Sequence, residues 1–288
     1  GCPELLRNYI DYLFLLRGCS VLCFPITLDE VSFVSVPLTI RTETQEFRDD
    51  ASLDVETMVD TLRSTKGRSY SACPSVADWE RAFGEDDDVL AFTITSGLSG
   101  SFRAACAAKL NCEENSPSRR ICIIDSLSTG PEIVLLIEKA VSELSAGADF
   151  DAVCRSVQDY QRRTHLIFAL ESLHNLAQNG RVGKLAAAAA GMLGIRAVGT
   201  TSDEGTLDLL GKCRGRKRTV DFLQEEMERL GYTGGCVRIG HCRNTDSAGE
   251  LRTAILHRFP GANIRIYTLR GLCSYYAECG GVLVGFEA

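Results

Sequence analysis

VLAFTITSGLSGSFRAACAAKL at 89–110, followed by RICIID at 120–125, is the stretch on which the reading of this chain turns. Val89 to Thr93 is an apolar run with strand composition, Thr95-Ser96-Gly97-Leu98-Ser99-Gly100 is a polar turn, Phe102 to Leu110 is an alanine-rich helix, and Arg120 to Asp125 is a second apolar run. That order spells strand, turn, helix, strand, and such a unit closes with a right-handed parallel crossover. The turn falls at the carboxyl end of a strand and the amino end of a helix. Open α/β sheets bind ligands at that place, because the helix start offers free N–H groups and the positive end of its dipole to an anion. Three hydroxyls and two glycines in the turn make a cup. It is not a Walker loop, since no GxxxxGK[ST] occurs in the chain, and GLSGSF departs from the dinucleotide fingerprint. A serine-rich helix cap without a ligand is the plain alternative.

Strand and helix signals alternate on both sides of this unit, which predicts an α/β class. Val31 to Ile40 is β-branched, with Pro37 making it an edge or interrupted strand. Helical spacing covers Val55 to Arg63, and Ser75 caps a helix to Phe83 with Asp78 in its first turn. Further helices are expected at Glu132 to Leu144, Phe150 to Arg162, Thr219 to Leu230 and Asp246 to Phe259. Strands are expected at His165 to Leu170, Ile195 to Val198, Leu207 to Leu210, Val237 to His241, Asn263 to Tyr267 and Val282 to Phe286. Leu173 to Met192 is nearly all helix formers, with Ala186 to Ala190 consecutive. The change of texture near Gln161 sets a domain boundary, 1–160 against 161–288. Tyr12 to Ile26 is apolar but holds Arg17 and is broken by Pro25, short of the ~20 residues a membrane span needs. It lacks the basic start of a signal peptide and reads as an irregular helix leading into a buried strand.

The 288 residues are 45% hydrophobic and 24% charged, which excludes disorder and coiled coil. A net charge of −7 has the wrong sign for a broad nucleic-acid surface, so any anion must be met by a local site. Thirteen cysteines are an odd number without a disulfide spacing, which fits a reducing cytoplasm and thiols buried in the core. Neither Cys19 with Cys23 nor Cys236, His241 and Cys242 makes a zinc pattern, so no metal is expected. His165, His174, His241 and His257 are scattered and announce no Ser/His/acid arrangement.

SACPS at 71–75 is a second polar turn at a helix start, about one βα unit before the first. The two turns either converge on one anion or are independent caps. Arg181, in Asn179-Gly180-Arg181, and the cluster Lys212, Arg214, Arg216, Lys217 and Arg218 supply local positive charge; a structural bond to carbonyls and a solvated connection are their plainer roles.

With these pieces in order, TITSGLSGSFRAACAAK resembles the SS-x-LSG-[ST]-[YF] loop and alanine-rich helix of the DegV family of bacterial fatty-acid-binding proteins. SACPS is similar to that family's TSQPS, IIDSLSTG at 123–130 to its V-[IV]-D-S-x-x-x-S-x-G, LESLHNLAQNGRVGKL to its L-x-x-L-x-x-G-G-R-[IV], and KCRGRKR to its K-x-R-G-x-K. The resemblance covers roughly residues 36 to 287. It implies two α/β domains, the first with a Rossmann-like, mostly parallel sheet, and an acyl-chain pocket between them. It also implies a bound long-chain fatty acid as ligand, no cofactor, and no enzymatic activity of its own. The carboxylate would rest on Ser71, Ser96 and the backbone at Gly97. Arg181 would stand at the pocket mouth, and Lys212, Arg214, Arg216 and Lys217 would dock a separate fatty acid kinase that makes an acyl phosphate.

Burying a chain of ~16 carbons at about 0.8 kcal/mol per CH₂ offers on the order of 12 kcal/mol before ordering costs. The small residues Ala186 to Ala190 could leave room for it, with Phe92, Phe168, Leu170 and Met192 as wall candidates; core packing is the alternative for each. Two departures stand out. The family's opening D-S-[TS]-x-D-L is not recognisable, Cys19-Ser20 being the nearest remnant, and its H-x-G-P-G is replaced by Ala277-Glu278-Cys279-Gly280-Gly281, with Ala277 where a histidine would assist phosphotransfer. A phosphotransferase or hydrolase of a small anionic substrate, working at the TSGLSG turn, is the alternative function.

Overall fold

The structure is a computed structural model that describes residues 14–18, 32–65, 67–85, 88–186 and 194–288. The expectations placed on Cys19, Ser20, Cys23, the alanines 187–190 and Met192 lie outside the described residues.

β1 (Phe14–Gly18) and β2 (Ser32–Ser35) open the first sheet. The helix expected for the N-terminal apolar stretch gives way, in its described part, to a strand. β1 sits inside the sheet, paired antiparallel on one side with β2 and on the other with β6 (Asp88–Thr93), so its backbone groups are met on both edges. The segment Val31 to Ile40 is interrupted around Pro37, as its proline requires: β2 ends at Ser35, and β3 (Thr39–Arg41) belongs to a separate small sheet with β4 (Glu46–Arg48) and β5 (Tyr70–Ala72).

α1 (Val55–Ser64) is capped by Asp54, and α2 (Val76–Phe83) by Ser75 in a capping box with Asp78. β6 then runs through the TSGLSG turn into α3 (Ser101–Asn115) and returns in β7 (Arg120–Asp125). β6 and β7 are parallel, with Asp88 opposite Arg120 and Phe92 opposite Ile124, as the sequence predicts. α4 (Pro131–Ser145) and α5 (Phe150–Gln161) cover the back of this sheet.

The second half is a six-stranded sheet. β8 (Thr164–Leu170) pairs with β9 (Ile195–Thr201) and with β13 (Val282–Glu287); β10 (Leu207–Arg214) forms one edge, and the parallel pair β11 (Cys236–His241) and β12 (Asn263–Thr268) the other. The helical stretch expected from Leu173 shortens, in its described part, to α6 (His174–Gln178) and a single 3₁₀ turn at Gly183–Leu185. Gly180 at φ +70° and Gly183 at φ +49° break it, because a left-handed residue cannot continue an α-helix. α7 (Arg216–Arg229) and α8 (Thr245–Arg258) pack on the back face.

α9 (Gly271–Ala277) is a helix that periodicity misses. Six of its seven residues are buried, so it carries no amphipathic stripe to read. Its first N–H groups are satisfied from far away: Gly271 N and Leu272 N donate to the two carboxylate oxygens of Asp49, at 3.0 and 2.7 Å.

Three apolar clusters result. One lies under α4 and α5, one under α7 and α8, and the third joins residues of both halves, from Leu38 and Ala91 to Leu166, Phe168 and Leu283.

Candidate functional site

Residues of the third cluster line a partly open cavity. Strand alternation builds its apolar wall. Successive side chains of β8 point to opposite faces, so Leu166, Phe168 and Leu170 face the cavity while Ile167 and Ala169 face the core behind. Leu283 of β13, Leu207 of β10, Leu176 of α6 and Leu272 of α9 continue the wall, with Leu38, Ile94 and Leu98 opposite.

Polar side chains gather in one part of this lining. Ser71 arrives on β5 and stands with its hydroxyl 2.7 Å from the Tyr276 hydroxyl of α9. Ser99 comes from the TSGLSG turn, its Oγ 2.9 Å from that of Ser101, and Thr129 lies beside Cys273. Arg181 lines the cavity too. Its Nε donates to the Leu98 carbonyl at 2.9 Å and its Nη1 to that of Asn179 at 3.0 Å, while its guanidinium stands 5.7 Å from the Tyr276 ring centroid.

Of the residues singled out from sequence, the structure brings Ser71 and Arg181 together at the cavity, joined by Phe168 and Leu170 on the wall. Ser96 and Gly97 lie on the same turn but outside the lining. Ser96 N donates to Asp125 Oδ1 at 3.0 Å, and Gly97 N to Thr95 Oγ1 at 3.0 Å. Phe92 is buried in the cluster under α4 and α5, because it sits on the opposite face of β6. Ser99, Thr129 and Tyr276 were missed. Ser99 is one of the cup's hydroxyls, but nothing local tells which of them looks inward; Tyr276 stands next to Ala277 on the helix without a pattern.

The turn is also clasped from the second half. Thr95 Oγ1 donates to the Gly205 carbonyl at 2.9 Å. A Cβ on Gly205 (φ +73°) would fall 1.9 Å from that Oγ1, and one on Gly97 2.8 Å from the Gly205 carbonyl oxygen. The close approach requires glycine on both sides. Lys212, Arg214, Arg216 and Lys217 are exposed at the end of β10 and the start of α7; Arg216 pairs with Asp246 at 2.7 Å and Glu250 at 2.8 Å.

Two carboxyls are buried outside this lining. Burial pushes Asp49, the anchor of α9, up to about 6. Glu132 at the start of α4 is pushed up to about 7 by burial and accepts a 2.8 Å bond from Thr164 Oγ1. Tyr276 is also raised by burial, against the opposing bond from Ser71 and charge of Arg181, which keeps it a phenol at neutral pH. Among the described residues no three His, Cys, Asp or Glu side chains gather as a metal site. Cys236 and His241 stand at opposite ends of β11, roughly 17 Å apart at strand rise. No helix of the described residues is long and apolar enough to cross a membrane.

Comparison with known proteins bears directly on this arrangement. The family profile described as "Uncharacterised protein, DegV family" matches residues 24–287. The chain belongs to the DegV family. A DegV domain-containing protein of Streptococcus pneumoniae is 42% identical over 270 residues, 94% of this chain and 96% of the relative. Among solved DegV-type structures, the Streptococcus pneumoniae Fatty Acid Kinase (Fak) B3 protein loaded with linoleic acid superposes with a TM-score of 0.88 at 42% identity, covering 94% of this chain and 96% of that one. A DegV family protein from Eubacterium eligens loaded with heptadecanoic acid gives 0.84 at 43% identity, covering 88% and 92%.

Proposed function

We propose that this chain binds a long-chain fatty acid, its tail along the wall of β8, β13 and α9 and its carboxylate among Ser71, Arg181 and the donors of the TSGLSG turn. The observation that carries the reading is the lining itself, leucines and a phenylalanine around most of the cavity with hydroxyls and one guanidinium converging at one part of it. A buried carboxylate is satisfied by such donors without a further counter-charge. The acids held by the Streptococcus pneumoniae and Eubacterium eligens proteins support it. In the turn, the Gly97 N–H is taken by Thr95 Oγ1 and the Ser96 N–H by Asp125, which leaves the hydroxyls of Ser96 and Ser99 as donors, and of these two residues Ser99 belongs to the lining. The halves 1–160 and 161–288 act as two jaws on the acid. We also propose a cytoplasmic setting, with the exposed Lys212, Arg214, Arg216 and Lys217 docking a kinase that phosphorylates the presented carboxylate; the Streptococcus pneumoniae Fak B3 protein supports this by name.

Titration with palmitate tests the head-group assignment. Loss of charge-assisted bonds at ~1.5–3 kcal/mol each should weaken Ser71→Ala and Ser99→Ala by tenfold or more, with Ser96→Ala affected least. A Ser71→Ala/Ser99→Ala double variant that folds and binds palmitate like the wild type would refute it. Purified protein that hydrolyses an acyl ester or ATP unaided, at a rate lost in Ser99→Ala, would install the enzyme reading in its place.

A further inference from the structure

Two adjacent tyrosines on α9 have opposite hydrogen-bonding situations. The Tyr275 hydroxyl is fully engaged by the protein: Ser69 Oγ stands 2.9 Å away and Asn179 Nδ2 donates to it at 2.8 Å. The Tyr276 hydroxyl has Ser71 Oγ, at 2.7 Å, as its one partner among the described residues, and Ser71 Oγ has no other. A phenol and a serine each bring one hydrogen. Their mutual bond uses one of the two, so one hydroxyl hydrogen is left over inside a mostly apolar cavity that both residues line. Both residues are half-buried, and the hydrogen left over is free to be donated to an entering acceptor.

The third neighbour is Arg181, whose Nε and Nη1 hold the Leu98 and Asn179 carbonyls and whose Nη2 carries no bond among the described residues. The element under Tyr276 is fixed at both ends, by Asp49 on Gly271 N and Leu272 N and by Asn175 Nδ2 on the Tyr275 carbonyl at 2.8 Å. Ala277, the next residue, offers a methyl group only.

We propose that Tyr276 is itself a carboxylate ligand, and that Ser71, Tyr276 and Arg181 form a three-donor clamp in which the phenol supplies the proton donor that Ala277 cannot. The inference rests on the fatty-acid reading. On binding, the Ser71–Tyr276 hydrogen bond opens or is shared, and both hydroxyl hydrogens turn to the carboxylate oxygens. No covalent change is involved. The clamp selects for an ionised acid, since a neutral ester has half the acceptor capacity and no charge for Arg181.

Palmitate ¹³C-labelled at its carboxyl carbon, bound to the full chain, provides the test. Tyr276→Phe should weaken palmitate about tenfold and shift the bound carboxyl resonance, whereas Tyr275→Phe, which removes a phenol engaged by Ser69 and Asn179, should leave that resonance in place. Wild-type affinity and an unmoved resonance in Tyr276→Phe, together with a loss in Ser71→Ala, would overturn the clamp and leave the fatty-acid reading standing. Unchanged binding in Tyr276→Phe, Ser71→Ala and Ser99→Ala alike would overturn both. Should Tyr276→Phe fold poorly, the wild type still decides the matter: a bound carboxyl resonance that titrates like the free acid, with no donor holding the charged form, counts against the clamp.

Discussion

The two faces of β8 are made of the same kind of residue and do different work. Ile167 and Ala169 meet a sealed core, where Val220, Leu223 and Met227 of α7 close over them with almost no exposure. Leu166, Phe168 and Leu170 are as buried as their neighbours, yet they face a cavity. Hydropathy does not distinguish a wall that is covered by a helix from one that waits for a ligand. What differs is the opposite side, and that is supplied by loops, by the short α9 and by chain segments more than 100 residues away.

The largest expected effect breaks the sealed side. Phe286 is fully buried, packed at 5.8 Å from the Tyr232 ring and 5.5 Å from His165. Phe286→Ala should cost about 3–5 kcal/mol in urea unfolding while the folded fraction binds palmitate unchanged. Phe168→Ala should cost clearly less without lipid and should weaken binding. Equal costs for the two variants in lipid-free protein would erase the contrast between the faces.

A second effect separates the faces by pH. Asp49 anchors α9 on the cavity side, and its folded value of about 6 lies above the unfolded one near 3.8. The folded state therefore binds the proton more tightly, so this group's contribution is fully present below the unfolded value and is lost as pH rises through about 6. Between pH 4 and 7 the stability of the wild type relative to Asp49→Asn should fall by on the order of 2–3 kcal/mol. A parallel pair of urea midpoints over that range would refute it.

The smallest effect lies outside both faces. Arg214→Glu/Arg216→Glu removes exposed charge whose ion pairs are about half-exposed, and should change stability by under ~1 kcal/mol and leave palmitate affinity intact. If the cluster docks a kinase, ATP consumption with that partner added should slow; an unchanged rate would remove these residues from the docking surface.

How much of this was legible follows from the range of the interactions. The β6–α3–β7 unit was, because strand composition, a turn with glycines and an alanine-rich helix lie within forty residues and each signal is local. Ser71 and Arg181 were found through motif resemblance. Phe92 was read as a wall candidate because hydropathy fixes that a residue is buried, not which side of its sheet is open. The helix foreseen after Leu173 foundered on Gly180 and Gly183, whose positive φ outweighs the propensity of their neighbours. Tyr276 was invisible because its helix is buried nearly all round and capped by a carboxylate 222 residues upstream.

The clasp between Thr95 and Gly205 and the capping of α9 by Asp49 have a consequence for how the chain comes to be made. Ser71 and Tyr276 are 205 residues apart, Asp49 and Leu272 223, Thr95 and Gly205 110. Contacts of that separation are slow to form, since the loop they close must be searched before anything is gained. During synthesis the emerging chain carries its β6–α3–β7 unit, its serines and its arginine long before the helix that bears Tyr276. If the proposed clamp holds the acid, a fragment that stops short of residue 277 should not bind palmitate, and adding the segment that carries α9 should restore binding in one step.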